Sequence, residues 1–324
     1  MGVRMLNRYL REFSSNALKQ ITMNALDGKK IAIDISIFMY QFKGNDALLE
    51  NMYKMIMLFR RYHVVPVFVF DGAPPDEKME ILEERDAGKK KAKEQCDLLE
   101  NELKNNVNLN EEERSSIEQK LKEQKKKCLH ITNANIRDVK ALINVMGVNY
   151  LEAEGEADDL CALLVKKKIV WACMTEDMDM FVYGVPRVLR NFDLEKGTMT
   201  LYSMFDILKN LKMTQSEFRD VCLLSGTDYN RSRFTVYTCM GFFYKFLKKK
   251  KGLMGFYDWL VFTKIITPEE KEQLILSRSM FTKNANKNEN NHIDVNEQMT
   301  NKRTLKHEIE NYLEKNNLYY LINV

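Results

Sequence analysis

Residues 64–71 read VVPVFVFD: seven residues without a charge, then an acid. An apolar run of this length with no polar alternation reads as a strand buried on both faces. Two more runs share the design. KKIAIDI (29–35) carries Asp34 near its end, and IVWACM (169–174) is followed by Thr-Glu-Asp. Shorter strands are expected at 148–152, 187–191 and 198–202. A helical pattern runs through Ala47–Tyr62, and IRDVKALINVMG (136–147) reads as an amphipathic helix with Gly147 as its stop. Alternating strands and helices predict an α/β fold with a mostly parallel central sheet flanked by helices.

The stretch from Asp76 to about His130 breaks this rhythm. EILEERDAGKKKAKEQCDLLENEL and EEERSSIEQKLKEQKKK read as two charged helices, joined by an Asn-rich turn near 105–110. With so little apolar face they are not core. They form either a surface hairpin or an insertion over an active site. Residues 283–303 are Asn-rich and polar, the composition of a linker. Residues 304–324 end in an expected helix with an apolar anchor.

The 324 residues are 45% hydrophobic and 30% charged, with mean hydropathy −0.41. That composition excludes a disordered chain. No window of eighteen apolar residues predicts a membrane span, and MGVRMLNRYLREF lacks the apolar region of a signal peptide. Six cysteines without a CxxC pair, and four scattered histidines, predict reduced thiols, an intracellular location (nuclear or cytoplasmic) and no zinc site. The net charge of +4 is uneven. Residues 229–283 carry +7 and residues 76–130 carry −2, a pattern suited to a polyanion partner.

The chemistry is expected at the acids. In a parallel sheet, ligands gather beyond the carboxyl ends of the strands. Asp34 and Asp71 end two strands, and Asp177 and Asp179 follow a third in TEDMD. Glu154, Glu156, Asp158 and Asp159 open a helix, and Asp228 follows one in LLSGTDY. Singly, such acids are caps and turn residues. Together they would repel one another unless cations intervened. Hard oxygen donors favour Mg²⁺, with Mn²⁺ as a substitute. Two such ions clamp the attacking and leaving oxygens of a phosphodiester.

MGVRMLNRYL, IAIDISIFMYQF, PVFVFDGAPPDEK, EAEGEADDLCALLV, TEDMDMFVYG and LLSGTDY follow in order over residues 1–230. This series resembles the flap endonuclease/XPG family of structure-specific 5′ nucleases. The resemblance implies a PIN-like α/β nuclease core over 1–228 with a helical arch at about 76–130. It also implies a helix-hairpin-helix DNA region at 229–282. It places metal carboxylates on Asp34, Asp71, Glu156, Asp158, Asp177, Asp179 and Asp228. Asp158 stands where the family usually has Glu. The expected division is Asp34, Asp71, Glu156 and Asp158 around one ion and Asp177, Asp179 and Asp228 around the other, with a bridging acid from the Glu156/Asp158 pair. The resemblance implies catalytic roles for Lys78, Arg85 and Asp177, with Lys78 and Arg85 gripping phosphate. It also implies a base-stacking role for Tyr40, and Gly2 near the active site, where a bulky N-terminal tag would impair activity.

The sequence departs from the family after Asp228. NRSRFTVYTCMGFFYKFLKKKKG lacks the glycine-rich hairpin, keeping only Gly241, so a monovalent-cation site is in doubt. Lys245, Lys248, Lys249, Lys250 and Lys251 are expected to supply charge for duplex phosphates instead. No sliding-clamp motif is present, and a monomer is expected. The length and the Asn/Lys-rich segments are similar to members from large DNA viruses. The expected activity is Mg²⁺-dependent DNA cleavage at flaps, nicks or junctions, leaving 5′-phosphate ends, in replication, repair or recombination. The alternatives are a non-catalytic DNA-binding scaffold and a PIN-like ribonuclease.

Overall fold

The apolar runs form the middle of a seven-stranded sheet. The computed structural model describes residues 2–73, 79–106, 110–249, 254–282 and 306–322, with backbone alone at 80–82 and 85. Its strands are β1 (Leu18–Thr22), β2 (Lys30–Asp34), β3 (Val65–Phe70), β4 (Asn149–Glu152), β5 (Ala172–Met174), β6 (Arg187–Asp193) and β7 (Thr198–Ser203). Their spatial order is β1-β7-β6-β5-β2-β3-β4. The five from β6 to β4 are parallel, and β7 and β1 add an antiparallel edge. The sheet is therefore mostly parallel, as expected. The third apolar run yields a shorter strand than its sequence suggests, because Lys168 turns the chain with a φ of 60°.

Side chains of alternate residues feed two cores, one on each face. Along β2, Ile31 and Ile33 join Phe68 and Phe70 of β3 on one side. They pack with α2 (Ile35–Lys43), α3 (Leu48–Arg61) and α6 (Asn133–Val145). Ala32, Val67 and Val69 face the other side, with α1 (Leu6–Phe13) and α7 (Ala157–Lys166). That second core also takes in α8 (Asp179–Tyr183), α9 (Met204–Leu211), α10 (Gln215–Ser225), α11 (Val236–Lys249), α12 (Phe256–Phe262) and α13 (Pro268–Met280). Burying each large apolar side chain contributes about 1.5–3 kcal/mol.

The charged stretch forms α4 (Met79–Asn105) and α5 (Glu111–Lys127). These helices pack mainly on each other, around Ala92, Cys96 and Ile117. An Asn110/Glu113 capping box starts α5, and a Lys125–Glu100 pair at 2.7 Å ties its end to α4. The last helix, α14 (Lys306–Lys315), returns to the first core, where Leu313 and Leu321 are buried. The expected linker at 283–303 lies outside the described residues, as do Lys78, Lys250 and Lys251.

Between α10 and α11 lies a turn over residues 226–235, with Gly226 at a φ of 94° and a Thr227–Asn230 bridge. Gly241 is not part of it. It sits inside α11, where an added Cβ would meet nothing within 4 Å. Helical packing of Val236, Met240 and Phe243 places it more than a turn beyond the bend.

Candidate active site

Parallel pairing brings the ends of β2, β3 and β5 to one edge of the sheet. Asp34 is the last residue of β2 and caps α2, accepting from the Ser36 backbone N–H at 3.3 Å. It is 5% exposed and also accepts from the Thr175 hydroxyl at 2.9 Å. Asp71 follows β3. Its carboxylate accepts from the Ser36 hydroxyl at 2.5 Å and from the Ala157 N–H at 2.9 Å. Ala157 opens α7, so Asp71 meets the positive end of that helix. Gly72 permits the approach. Its N–H donates to the Gly155 carbonyl at 2.7 Å, and a Cβ there would overlap the Ala153 carbonyl.

On the other side of Asp34, Thr175 links it to the TEDMD segment. The Asp177 N–H donates to the Thr175 hydroxyl at 3.1 Å, and the Asp179 N–H to Asp177 Oδ1 at 2.8 Å. Asp177 and Asp179 are 2% and 3% exposed, so both carboxylates are withdrawn from bulk water. Asp179 Oδ1 accepts from the Val3 N–H at 3.0 Å, and its Oδ2 from the Asp228 N–H at 3.4 Å. Gly2, at a φ of 72°, abuts the same pair. An added Cβ would overlap both carboxylates and lie 2.7 Å from the Asp179 nitrogen.

Glu156 caps α7 at its N-terminus and accepts from the Tyr229 hydroxyl at 2.6 Å. Asp158 and Asp159 lie in the first turn of that helix, and Glu154 in the loop before it. Hydrogen bonds thus run from Asp71 through Ser36, Asp34, Thr175 and Asp177 to Asp179 and Asp228. A second branch joins Glu156 to the Asp228 turn through Tyr229. Ser36, Thr175 and Tyr229 were not singled out from sequence. Their signal is a short polar or phenolic residue within two positions of a strand- or turn-borne acid.

The electrostatics follow from crowding. Burial, then the Asp71 carboxylate and to a lesser extent Asp177, push the Asp34 carboxyl up to about 7, against the Thr175 hydrogen bond that lowers it. Asp34 and Asp71 are met by hydroxyl and backbone donors, which solvate a carboxylate without neutralising it. An all-oxygen donor set under mutual repulsion fits a hard divalent cation. Among the described residues, no three His, Cys, Asp or Glu side chains close around a single point. Mg²⁺ does not require that, since it keeps several waters and takes one or two carboxylates plus substrate phosphate.

Of the residues expected to contact DNA, those described fall on α2, α4 and α11. Tyr40, on α2, is 38% exposed and so accessible for stacking. Arg85 lies on α4, seven residues along the chain from Lys78, which falls outside the described residues. Glu84 of α4 pairs with Arg231, in the turn after Asp228, which ties the helix pair to the acid cluster. Lys245, Lys248 and Lys249 are exposed near the end of α11, while Phe243 and Phe246 are buried beside them. No described helix is long and apolar enough to cross a membrane.

Known proteins resemble both the sequence and this arrangement. The XPG N-terminal domain model matches residues 1–92, and the XPG I-region model matches residues 147–228. The gap between them holds much of α4 and all of α5. Flap endonuclease 1 of Encephalitozoon cuniculi is 33% identical over 250 residues, covering 71% of this chain and 68% of that protein. Flap endonuclease 1 of Homo sapiens is 29% identical over 250 residues, covering 72% of this chain and 62% of that protein. The matched region thus spans about two thirds of these relatives, which are cellular and lend no support to a viral source. The catalytic core of Rad2 in complex with DNA substrate shares the fold, with a TM-score of 0.61 at 20% identity, over 97% of this chain and 94% of that one.

Proposed function

The chain belongs to the flap endonuclease/XPG family of structure-specific DNA nucleases, and from that premise we propose that it hydrolyses DNA phosphodiesters at single-strand/double-strand junctions with the help of two divalent cations, Mg²⁺ in the first instance. The observation that carries this reading is the continuous hydrogen-bonded series of acids from Asp71 to Asp228 along one edge of the sheet.

In this reading Asp34, Asp71, Glu156 and Asp158 hold one cation, and Asp177, Asp179 and Asp228 the other. Bound there, the cations supply Lewis-acid stabilisation to the attacking and leaving oxygens. The chain's own groups do the rest. Thr175 and Ser36 orient Asp34 and Asp71. Burial of Asp177 and Asp179 keeps the local dielectric low, which strengthens every charge interaction with the scissile phosphate. Lys78 and Arg85 grip the phosphates of the strand to be cut, and Tyr40 offers its ring to an unstacked base. The lysines of α11 hold the duplex through its backbone, so binding weakens steeply with salt. The products carry 5′-phosphate and 3′-hydroxyl ends, a reaction suited to replication, repair or recombination.

The test is a 5′-labelled flap duplex incubated in Mg²⁺ or EDTA with the wild type and the Asp177→Asn/Asp179→Asn variant. Cleavage near the junction by the wild type in Mg²⁺ alone is the expected result. Salt-sensitive binding by both proteins without cleavage would support a scaffold instead, and faster cutting of a matched RNA flap would support a ribonuclease.

A further inference from the structure

The segment that carries Asp177 and Asp179 is gripped from behind by one buried cation. Arg190, in the middle of β6, is 7% exposed. Its Nη2 donates to the Glu176 carbonyl at 2.8 Å and pairs with the Glu176 carboxylate at 3.2 Å. Its Nη1 donates to Met178 Sδ at 2.6 Å. The fork therefore contacts the residue on either side of Asp177. The guanidinium carbon lies over the Tyr202 ring, 5.6 Å from its centroid, and the Tyr202 hydroxyl donates to Asn7 Oδ1 at 2.7 Å. Glu176 closes the arrangement by accepting from the N–H of Asn191, a residue at a φ of 53°.

Burying a guanidinium is costly, and here the cost is incompletely offset. Arg190 Nε finds no hydrogen-bond partner among the described residues. An apolar residue would fill this position without that penalty, so fold stability alone does not account for the arginine. Placement of the acids does. The Thr175 N–H bonds to the Leu189 carbonyl at 3.1 Å, fixing the start of the segment to β6. The fork fixes the next three residues, and the Asp179 N–H then follows Asp177 through their 2.8 Å bond.

We propose that Arg190 is the positioning residue for Asp177 and Asp179, and that its two-pronged grip on Glu176 and Met178 sets the spacing at which those carboxylates meet a divalent cation. This inference rests on the reading of Asp177 and Asp179 as cation ligands. Lysine cannot replace the arginine, because a single ammonium cannot hold both sides of Asp177 at once.

The test measures Mn²⁺ binding directly by calorimetry, together with flap cleavage against metal concentration, for Arg190→Lys and for the Asp177→Asn/Asp179→Asn control. Folded Arg190→Lys is expected to bind Mn²⁺ about tenfold more weakly, the scale on which groups supporting metal ligands act. Its kcat should recover at high metal while KM for the flap stays unchanged. A merely structural role would lower the melting temperature and leave the Mn²⁺ affinity alone. Affinity within about twofold of wild type in Arg190→Lys, with binding lost in the control, overturns the inference. Unchanged binding in the control overturns the ligand assignment instead. If Arg190→Lys does not fold, Glu176→Gln keeps the guanidinium and removes its carboxylate partner. About threefold weaker Mn²⁺ binding is then expected, and unchanged affinity refutes the role of the grip.

Discussion

Asp34 shows how a single residue can make the folded state depend on its ligands. Its carboxyl is raised from 3.8 to about 7, with burial as the first cause and the neighbouring acids after it. Between those values the folded chain holds a proton that the unfolded chain has released. Without a divalent cation, stability is greatest below that window and falls as pH rises through 7. If Asp34 holds a cation as proposed, that cation replaces the missing proton, and Mg²⁺ should raise the melting temperature more at pH 8 than at pH 5.5. Thermal melts at both pH values, with and without Mg²⁺, check this, and equal shifts would refute it. Gly2 is constrained by geometry. With φ at 72° and its Cα against Asp177 and Asp179, Gly2→Ala must move the N-terminal segment or the acids. Either shift strains the Val3–Asp179 hydrogen bond, which is 3.0 Å here. Backbone strain of this kind costs about 1–3 kcal/mol. Single-turnover flap cleavage should fall at least about tenfold, the equivalent of 1.4 kcal/mol at the barrier. Activity like that of the wild type would show that residue 2 is tolerant. Much of this cluster could be read from the chain, because each acid ends or follows a recognisable apolar run. The groups that orient them could not, since Ser36, Thr175 and Tyr229 resemble any hydroxyl-bearing residue until the strands are placed side by side.

Elements were legible in proportion to their burial. β3, with five of its six residues buried, stood out at once, and the boundaries of α5 follow its Asn110 cap and its run of terminal lysines. β1 did not stand out. LKQIT lies at the sheet edge with no fully buried residue, so no alternation marks it. α2 was masked differently. It follows β2 directly, its Ile35, Phe38, Met39 and Phe42 are all buried, and the apolar run conceals the switch from period 2 to 3.6. The bend after Asp228 was not legible, because its one glycine, Gly226, ends a helix whose apolar residues give no sign of where the chain turns next. At this scale α14 yields a prediction. Its Leu313 is fully buried against the core of α3 and α6, and the Tyr312 hydroxyl donates to the Asp138 carbonyl at 2.7 Å. The helix sits on the core that supports the sheet and contributes no acid. Leu313→Ala should cost about 2–5 kcal/mol in urea denaturation. Flap cleavage at 25 °C should stay near wild type as long as the protein remains folded. Loss of activity without loss of stability would contradict this placement.

For the molecule as a whole, one core joins the basic C-terminal region to the nuclease core. Val236, Phe243 and Phe256 pack in the same apolar cluster as Val67 and Cys173 of the sheet, so the lysines of α11 are held at a set position relative to the acids. The α4–α5 pair packs mainly on itself and meets the region after Asp228 through the exposed Glu84–Arg231 pair. If the lysines of α11 hold the duplex as proposed, their fixed place relative to the acids sets how far the bound duplex lies from the site of cleavage. The cluster itself is assembled from residues far apart in the chain: Val3 bonds to Asp179, 176 positions away, and Asp179 to the Asp228 backbone. That separation has a consequence for how the protein is made. At about 5–20 residues per second, the ribosome releases Asp228 roughly 10–40 s after Asp34. Throughout that interval a nascent chain holds only part of the acid series. If the series holds the cations as proposed, synthesis itself withholds cutting power until Asp228 has been threaded out, and a chain broken off midway lacks part of the set that cleavage needs.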